Sequence, residues 1–349
     1  MADARLHWVD HAKAIGIVLV VVGHTSMLPG EAREFIYRFH MPLFFFLAGV
    51  LTKPERLAEG FRPWLGRQAR ALVIPYLGFF AVSWLWWLLI RNIGEKARET
   101  AGLAWWAPLK GLVWGTGESL FVNPPLWFFP ALFMTSVAFW GLWRATRGTR
   151  AGLVAVGVVA LLGLNLWWPR SMSSALPWNV DLVPWLLILM TLGFWLRPRL
   201  LGMKPAPWVV GLLAGLGVII LAQAWMAAHL VGLHAPAPLD INGRMFEGDR
   251  GFSAMAAAVR SLAVVFLVLA IPANPLTARL ARDTIVIFPL HGLWFSVFTG
   301  VLTKVFHRGD WKTTGGWAAV AVYTLGAIVL SLAVAPLLRR WVPWLVGGR

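Results

Sequence analysis

Long apolar runs separated by short polar stretches recur from one end of the chain to the other. Ten can be drawn, at roughly 13–29, 36–52, 71–90, 126–143, 151–168, 182–197, 207–229, 254–272, 284–303 and 317–338. Most approach the ~20 residues an α-helix needs to cross a hydrocarbon core. They are too long for barrel strands, and a helix satisfies its own backbone in lipid. The pattern predicts an all-α, polytopic integral membrane protein with about ten transmembrane helices. The second run is short and aromatic and also fits a partly re-entrant segment, and the fifth carries several glycines. No small-x-small cleavage site follows the first run before Glu31, so it reads as a retained span and not a removable signal. No repeat of fixed period and no linker breaks the chain, so residues 1–349 read as a single transmembrane domain.

Composition agrees with this pattern. The chain is 59% hydrophobic and 13% charged, against about a quarter charged for soluble domains. Many of its 23 Trp fall at the ends of apolar runs (Trp84, Trp86, Trp87, Trp105, Trp106, Trp167, Trp168, Trp341 and Trp344), where interfacial belts place them. The net charge of +16 is better explained by topology than by nucleic acid, because Lys and Arg are unevenly divided. Eighteen of the 31 lie on the side holding both termini and the segments 53–70, 144–150, 197–206 and 273–283, together with only five of the 15 acids. By the positive-inside rule that side is cytoplasmic. The loops 91–125 and 230–253 then lie outside. There is no Cys, so disulfides and thiolate-bound metals are excluded.

Ionisable residues inside membrane spans are rare and mark functional sites by default. Residues 5–49 hold the densest set. Lys13 and His24 are eleven residues apart, which puts them on one helix face, about 20° out of phase and roughly 17 Å apart along the axis. Asp10, three residues before Lys13, can pair with it. A histidine at the far end of such a helix can take or give a proton near neutral pH. The plainer alternative is that Lys13 snorkels to the interface and His24 serves as a helix cap. His40 opens the aromatic run Phe39–Phe46, with Pro42 fixing the helix entry. The two histidines would meet at the end of a helical hairpin as a proton-handling pair. No third ligand stands at metal spacing. Arg67 and Arg70, i and i+3 at a helix start, suit phosphate or lipid head groups. Asn123 and Trp127, in Asn-Pro-Pro-Leu-Trp, form either a cap and turn or a sugar site with an aromatic face. Asp181, and Asp240 with Asn242, are loop acids and amides able to bind hydroxyls. His291 lies inside the ninth run, after Pro289.

Several of these residues carry a resemblance. Trp8-Val9-Asp10-x-Ala12-Lys13, Val21-Val22-Gly23-His24 and Phe39-His40-Met41-Pro42-Leu43-Phe44-Phe45-Phe46-Leu47-x-Gly49 resemble the membrane acyltransferase 3 family. The nearest branch is the fucose 4-O-acetylase-like O-acetyltransferases. The likeness continues through Arg67-x-x-Arg70 with Pro75-Tyr76, Leu126-Trp127-Phe128, Leu176-Pro177 with Asp181 and Gly193, and Leu290-His291. Two positions depart from the common pattern. Lys13 stands where many members have Arg and cannot form the same bidentate contact, and Ala48 stands where many have Ser.

The resemblance implies transfer of an acetyl group from cytoplasmic acetyl-CoA to a hydroxyl of a glycan or other exported acceptor. The setting would be a bacterial inner membrane, with lipids as neighbours and neither nucleic acid nor a metal involved. His24 and His40 are the expected catalytic residues, His24 as general base or acyl carrier, with His40 or Asn123 as oxyanion donor. Lys13, Arg67 and Arg70 would hold the acetyl-CoA phosphates. Asp10, Asn123, Trp127, Asp181 and His291 would contact substrate. The rival expectation is a proton-coupled transporter or flippase, since charges and histidines in spans also describe carriers. The sequence shows no inverted repeat to support one.

Overall fold

A computed structural model describes residues 6–93, 100, 102–149, 151–152, 157, 176–203, 206–234, 250–305 and 316–347. Among these residues the chain is helical, with no strand. Seven helical stretches are long and apolar enough to cross a membrane: Gly30–Leu51, Phe61–Ile90, Pro124–Ala145, Pro177–Gly202, Pro207–Ala227, Pro275–Val301 and Gly316–Trp341. A shorter apolar helix covers Met255–Leu269. The protein is therefore an all-α, polytopic integral membrane protein. The run expected at 151–168 lies almost wholly outside the described residues, as do Asp240 and Asn242.

Helix α1 (His7–Gly23) is only 17 residues long and is enclosed by its neighbours, with nine residues buried. A helix in the middle of a bundle presents its ionisable groups to protein and not to lipid. Helix α2 (Gly30–Tyr37) turns the chain back, and α3 (His40–Leu51) follows after a break at Phe39, where φ is −149°. The short second run is thus two helices meeting at an angle. Pro42 falls in the first turn of α3, where backbone N–H groups have no helical partner and none is lost.

Helices α4 (Pro54–Ala58) and α5 (Phe61–Gln68) lead through a π turn at Ala69–Val73 into α6 (Ile74–Ile90). The third span therefore begins about ten residues earlier than the hydropathy pattern placed it. After α7 (Ala107–Trp114) come α8 (Phe128–Ala145), α9 (Val183–Gly202), α10 (Pro207–His234), α11 (Arg250–Leu269), α12 (Pro275–Val305) and α13 (Gly316–Trp341).

Four pairings organise the bundle: α3 with α9, α10 with α11, and α12 with both α1 and α13. Small residues allow the closest of them. A Cβ on Gly49 would fall 1.9 Å from the Met190 carbonyl oxygen, and one on Gly193 would fall 2.1 Å from that of Phe46. The α3 and α9 backbones thus touch at two glycines, in the second half of α3. Helices α12 and α13 are antiparallel, with Trp294 Nε1 donating to Ser331 Oγ at 3.0 Å and Phe298 meeting Tyr323 edge to face. Phe295 and Phe298 also pack with Val22, Met27 and Leu28 near the end of α1. Helices α1 and α12 therefore run in the same direction, and residues late in both share one end of the bundle.

The tryptophans divide. Trp105, Trp106, Trp341 and Trp344 are exposed, as a belt requires. Trp87, expected in that belt, is instead buried at 4% exposure.

Candidate functional site

The ends of α1, α2 and α3 and the middle of α12 bring three histidines and a tyrosine together. The rings of His24 and His291 lie 5.0 Å apart between centroids. Tyr37 stands between the hairpin histidines, 5.8 Å from His24 and 4.9 Å from His40. His24, Tyr37 and His40 line one narrow cavity with Met41, Pro125, Trp127 and Phe288. That cavity leaves about 10 Å³ for the centre of a water-sized group, room for roughly one water. His40 and His291 are buried, and His24 is partly exposed.

Local chain geometry fixes each imidazole the same way. Nδ1 of His24 lies 2.8 Å from the Val20 carbonyl, Nδ1 of His40 lies 2.8 Å from that of Ile36, and Nδ1 of His291 lies 2.6 Å from that of Phe288. A carbonyl oxygen can only accept, so each Nδ1 carries the hydrogen. In the neutral ring Nε2 is then the basic nitrogen. Nε2 of His24 and of His291 is buried with no hydrogen-bond partner. The site therefore presents two bare basic nitrogens on adjacent rings, oriented by their own backbone. The turn beyond His24 is braced by Arg33, whose guanidinium donates to the carbonyls of Thr25 (2.9 Å), Ser26 (3.3 Å) and Leu28 (3.3 Å). The Tyr37 hydroxyl makes only a long contact, 3.4 Å, to the Gly23 carbonyl.

Asn123 ties the site to α6. Its Nδ2 donates to Ser83 Oγ at 2.8 Å and to the Pro289 carbonyl at 2.9 Å. The carbonyl fixes the amide orientation, since only Nδ2 can face it. Both amide hydrogens are used, which leaves Oδ1, an acceptor, as the uncommitted atom; it is buried and without a partner. Asn123 thus has no free hydrogen for the oxyanion-donor role expected of it. Trp127 is buried in the cavity wall. Asp181 is distant in role: its carboxylate accepts from the Leu176 backbone N–H at 3.0 Å and closes the turn before α9.

The phosphate candidates lie at the opposite end. Lys13 precedes His24 by three turns, and Arg70 precedes Ser83 by 13 residues, roughly 20 Å of helix. The π turn changes the helical phase between Arg67 and Arg70. Each has its own partner: Arg67 pairs with Glu59, while exposed Arg70 donates from Nε to the Gly66 carbonyl at 3.2 Å. Asp10 and Lys13 occupy the same end of α1, both partly buried.

Sequence reasoning missed three residues. Tyr37, three positions before His40, could have been found by asking what stands one turn before that histidine. Asp283 is buried at 1% exposure against Arg339; the ninth apolar run begins one residue later, so hydropathy alone leaves it in a loop. His11, also buried, has both ring nitrogens unpartnered; it stands between Asp10 and Lys13 in sequence, where it reads as part of a polar helix end. Among the described residues no group of three or more His, Cys, Asp or Glu stands where it could hold a metal ion.

Comparison with known proteins adds a family. Residues 6–336 match the family model described as an acyltransferase domain. The nodulation protein NolL of Mesorhizobium japonicum is 32% identical over 85 residues, which cover 22% of this chain and 23% of that protein. No solved structure matches.

Proposed function

Because the chain belongs to the acyltransferase family whose domain runs through nearly all of it, we propose that it is a membrane O-acetyltransferase, of the fucose 4-O-acetylase-like branch. In this reading 1–349 is one catalytic domain in a bacterial inner membrane, with about ten spans and both termini cytoplasmic. It moves acetyl from cytoplasmic acetyl-CoA to a hydroxyl of a glycan or another exported acceptor.

The observation that carries this reading is the bare, buried Nε2 of His24, held in the basic tautomer by its Nδ1–H bond to Val20. Acetyl-CoA enters at the Lys13 and Arg70 end, with Arg67 beside it, and its pantetheine arm reaches along α1 for roughly 17 Å. The acceptor oxygen attacks the thioester carbonyl while its proton passes to His24 Nε2. The tetrahedral oxyanion takes a hydrogen bond from the Tyr37 hydroxyl, whose present contact is long enough to be released. Collapse expels the CoA sulfur, which takes the proton back from His24, giving the acetyl ester and free CoA. Acetylation of Nε2 itself would begin from the same bare nitrogen. His40 holds Tyr37, and His291 packs the other side of His24.

The test is transfer of labelled acetyl from acetyl-CoA to oligosaccharide or lipid-linked acceptors by the purified protein. Transfer by the native chain and its loss in His24→Ala is the expected result. Solute flux in liposomes without acetyl-CoA, and no acetyl transfer, would instead establish the carrier.

A further inference from the structure

Outside the histidine cavity, the charge most at odds with its surroundings is that of Arg260. It stands in the middle of the 20 residues of α11, inside the apolar stretch Met255–Leu269. A guanidinium keeps its proton in any protein setting, so α11 carries a full charge deep in its span. Such charges face a partner or a pathway. Among the described residues no carboxylate pairs with Arg260.

A second arginine increases the imbalance. Arg38, between α2 and α3, lies near enough for its charge to act against that of Arg260. Packing brings the two segments together: Phe35 and Phe39, three residues before and one after Arg38, share a cluster with Leu262 and Val264 of α11. Phe35 also meets Trp225 of α10 edge to face, with 5.5 Å between ring centroids. Glu34 offsets one of the two charges. Its Oε1 accepts from Arg38 Nε at 3.0 Å and from Nη2 at 2.9 Å. Both bonds go to one oxygen, so part of the Arg38 fork and the fork of Arg260 are left for another acceptor. One carboxylate against two guanidiniums leaves a single positive charge uncompensated.

The surroundings choose the kind of anion. Ala257, Ser261 and Val264 are buried, whereas Met255 and Val259 are exposed. Arg260 is partly buried and so sits on the seam between the bundle and the lipid. Met226, next to Trp225, is exposed as well. A small free anion would have to leave water to reach this seam. An amphiphile is already in the membrane, can lay its chain along these apolar side chains, and brings its head group with it. Phosphate oxygens match guanidinium forks in number and geometry.

We propose that Arg38 and Arg260 bind the phosphate of a lipid within the membrane. Arg38 directly follows Tyr37, which lines the histidine cavity, so the head group would lie beside that cavity. Lipid binding at this seam is independent of the acetyltransferase reading, and either can fail without the other.

The test uses the full chain in a neutral detergent. Farnesyl phosphate, phosphatidylglycerol, farnesol and inorganic phosphate are titrated separately and read by native mass spectrometry. At least one of the two phosphate lipids is expected to bind, and more tightly than farnesol or inorganic phosphate. Binding of phosphatidylglycerol would identify the source as bilayer lipid, and binding of farnesyl phosphate alone as a prenyl carrier. Arg260→Gln is expected to weaken binding about tenfold to a hundredfold, the worth of one charge-assisted contact. Arg260→Lys, which keeps the charge and loses the fork, should fall between. Glu34→Gln removes the competing carboxylate and is expected to tighten binding, so the proposal stays open to test even if an Arg260 variant folds poorly. No retention of either phosphate lipid, farnesol or inorganic phosphate bound as tightly, or affinity unchanged in both Arg260→Gln and Glu34→Gln overturns the assignment.

Discussion

At one end of the α1–α12 pair, His24 and His291 face each other with bare Nε2 atoms, each ring held by a carbonyl of its own helix. Toward the other end, buried Asp283 of α12 pairs with Arg339 of α13. Both ends bury ionisable groups, but by different means. Imidazole can be carried into a bundle uncharged, and a single backbone bond then fixes which nitrogen is basic. Guanidinium and carboxylate cannot both be neutral, so they enter together or stay near water. The difference separates a place suited to moving a proton from one suited to binding anions and holding helices in register.

The comparison breaks most readily at His24. His24→Ala removes the basic nitrogen and is expected to lower acetyl transfer about 10²–10⁴-fold with the elution profile and helicity unchanged. Activity within threefold of the native protein would falsify the assignment of the histidine end. The next largest effect belongs to the other end. Asp283→Asn leaves Arg339, a third exposed, without its counter-charge and should cost about 1–3 kcal/mol, read as a lowered thermal midpoint in detergent. Replacing both by apolar residues should recover much of that, and a single variant as stable as the native chain would mean the pair carries no structural weight. Between the ends, Gly193→Ala forces a methyl against the Phe46 carbonyl and should destabilise by about 1–3 kcal/mol, more than the same change at Gly141, which has open space. The smallest effect is expected at Arg70, exposed and bonded only to Gly66 among the contacts described for it. Arg70→Ala should raise the KM for acetyl-CoA about tenfold, the worth of one charge-assisted contact, with kcat little changed. An unchanged KM would move the phosphate site elsewhere, toward Lys13.

The site was legible in part. His24, His40, Trp127 and His291 were each conspicuous as polar or aromatic residues in or beside apolar runs, and the structure gathers them round one cavity or against its wall. The eleven-residue spacing placed Lys13 and His24 on one helix face without any tertiary knowledge. Tyr37 was not legible, because it belongs to a separate short helix whose break at Phe39 leaves no mark in hydropathy. Arg67 and Arg70 looked equivalent by spacing, and the π turn that gives them different partners cannot be read from period alone. The burial of Trp87 is not legible either, because position along a span says how deep a ring sits but not which way it faces.

The sequence alone determined the solvent, the helical class and the family motifs, since these follow from local composition: runs long enough for lipid, few charges, and short strings of residues at fixed spacing. Tertiary structure alone decided which nitrogen of each histidine is basic, that Asn123 has spent its amide hydrogens, that Asp283 is paired and that α3 and α9 touch at glycine. Each of these depends on atoms brought together from distant parts of the chain or on the exact path of one turn, and hydrophobic periodicity carries neither.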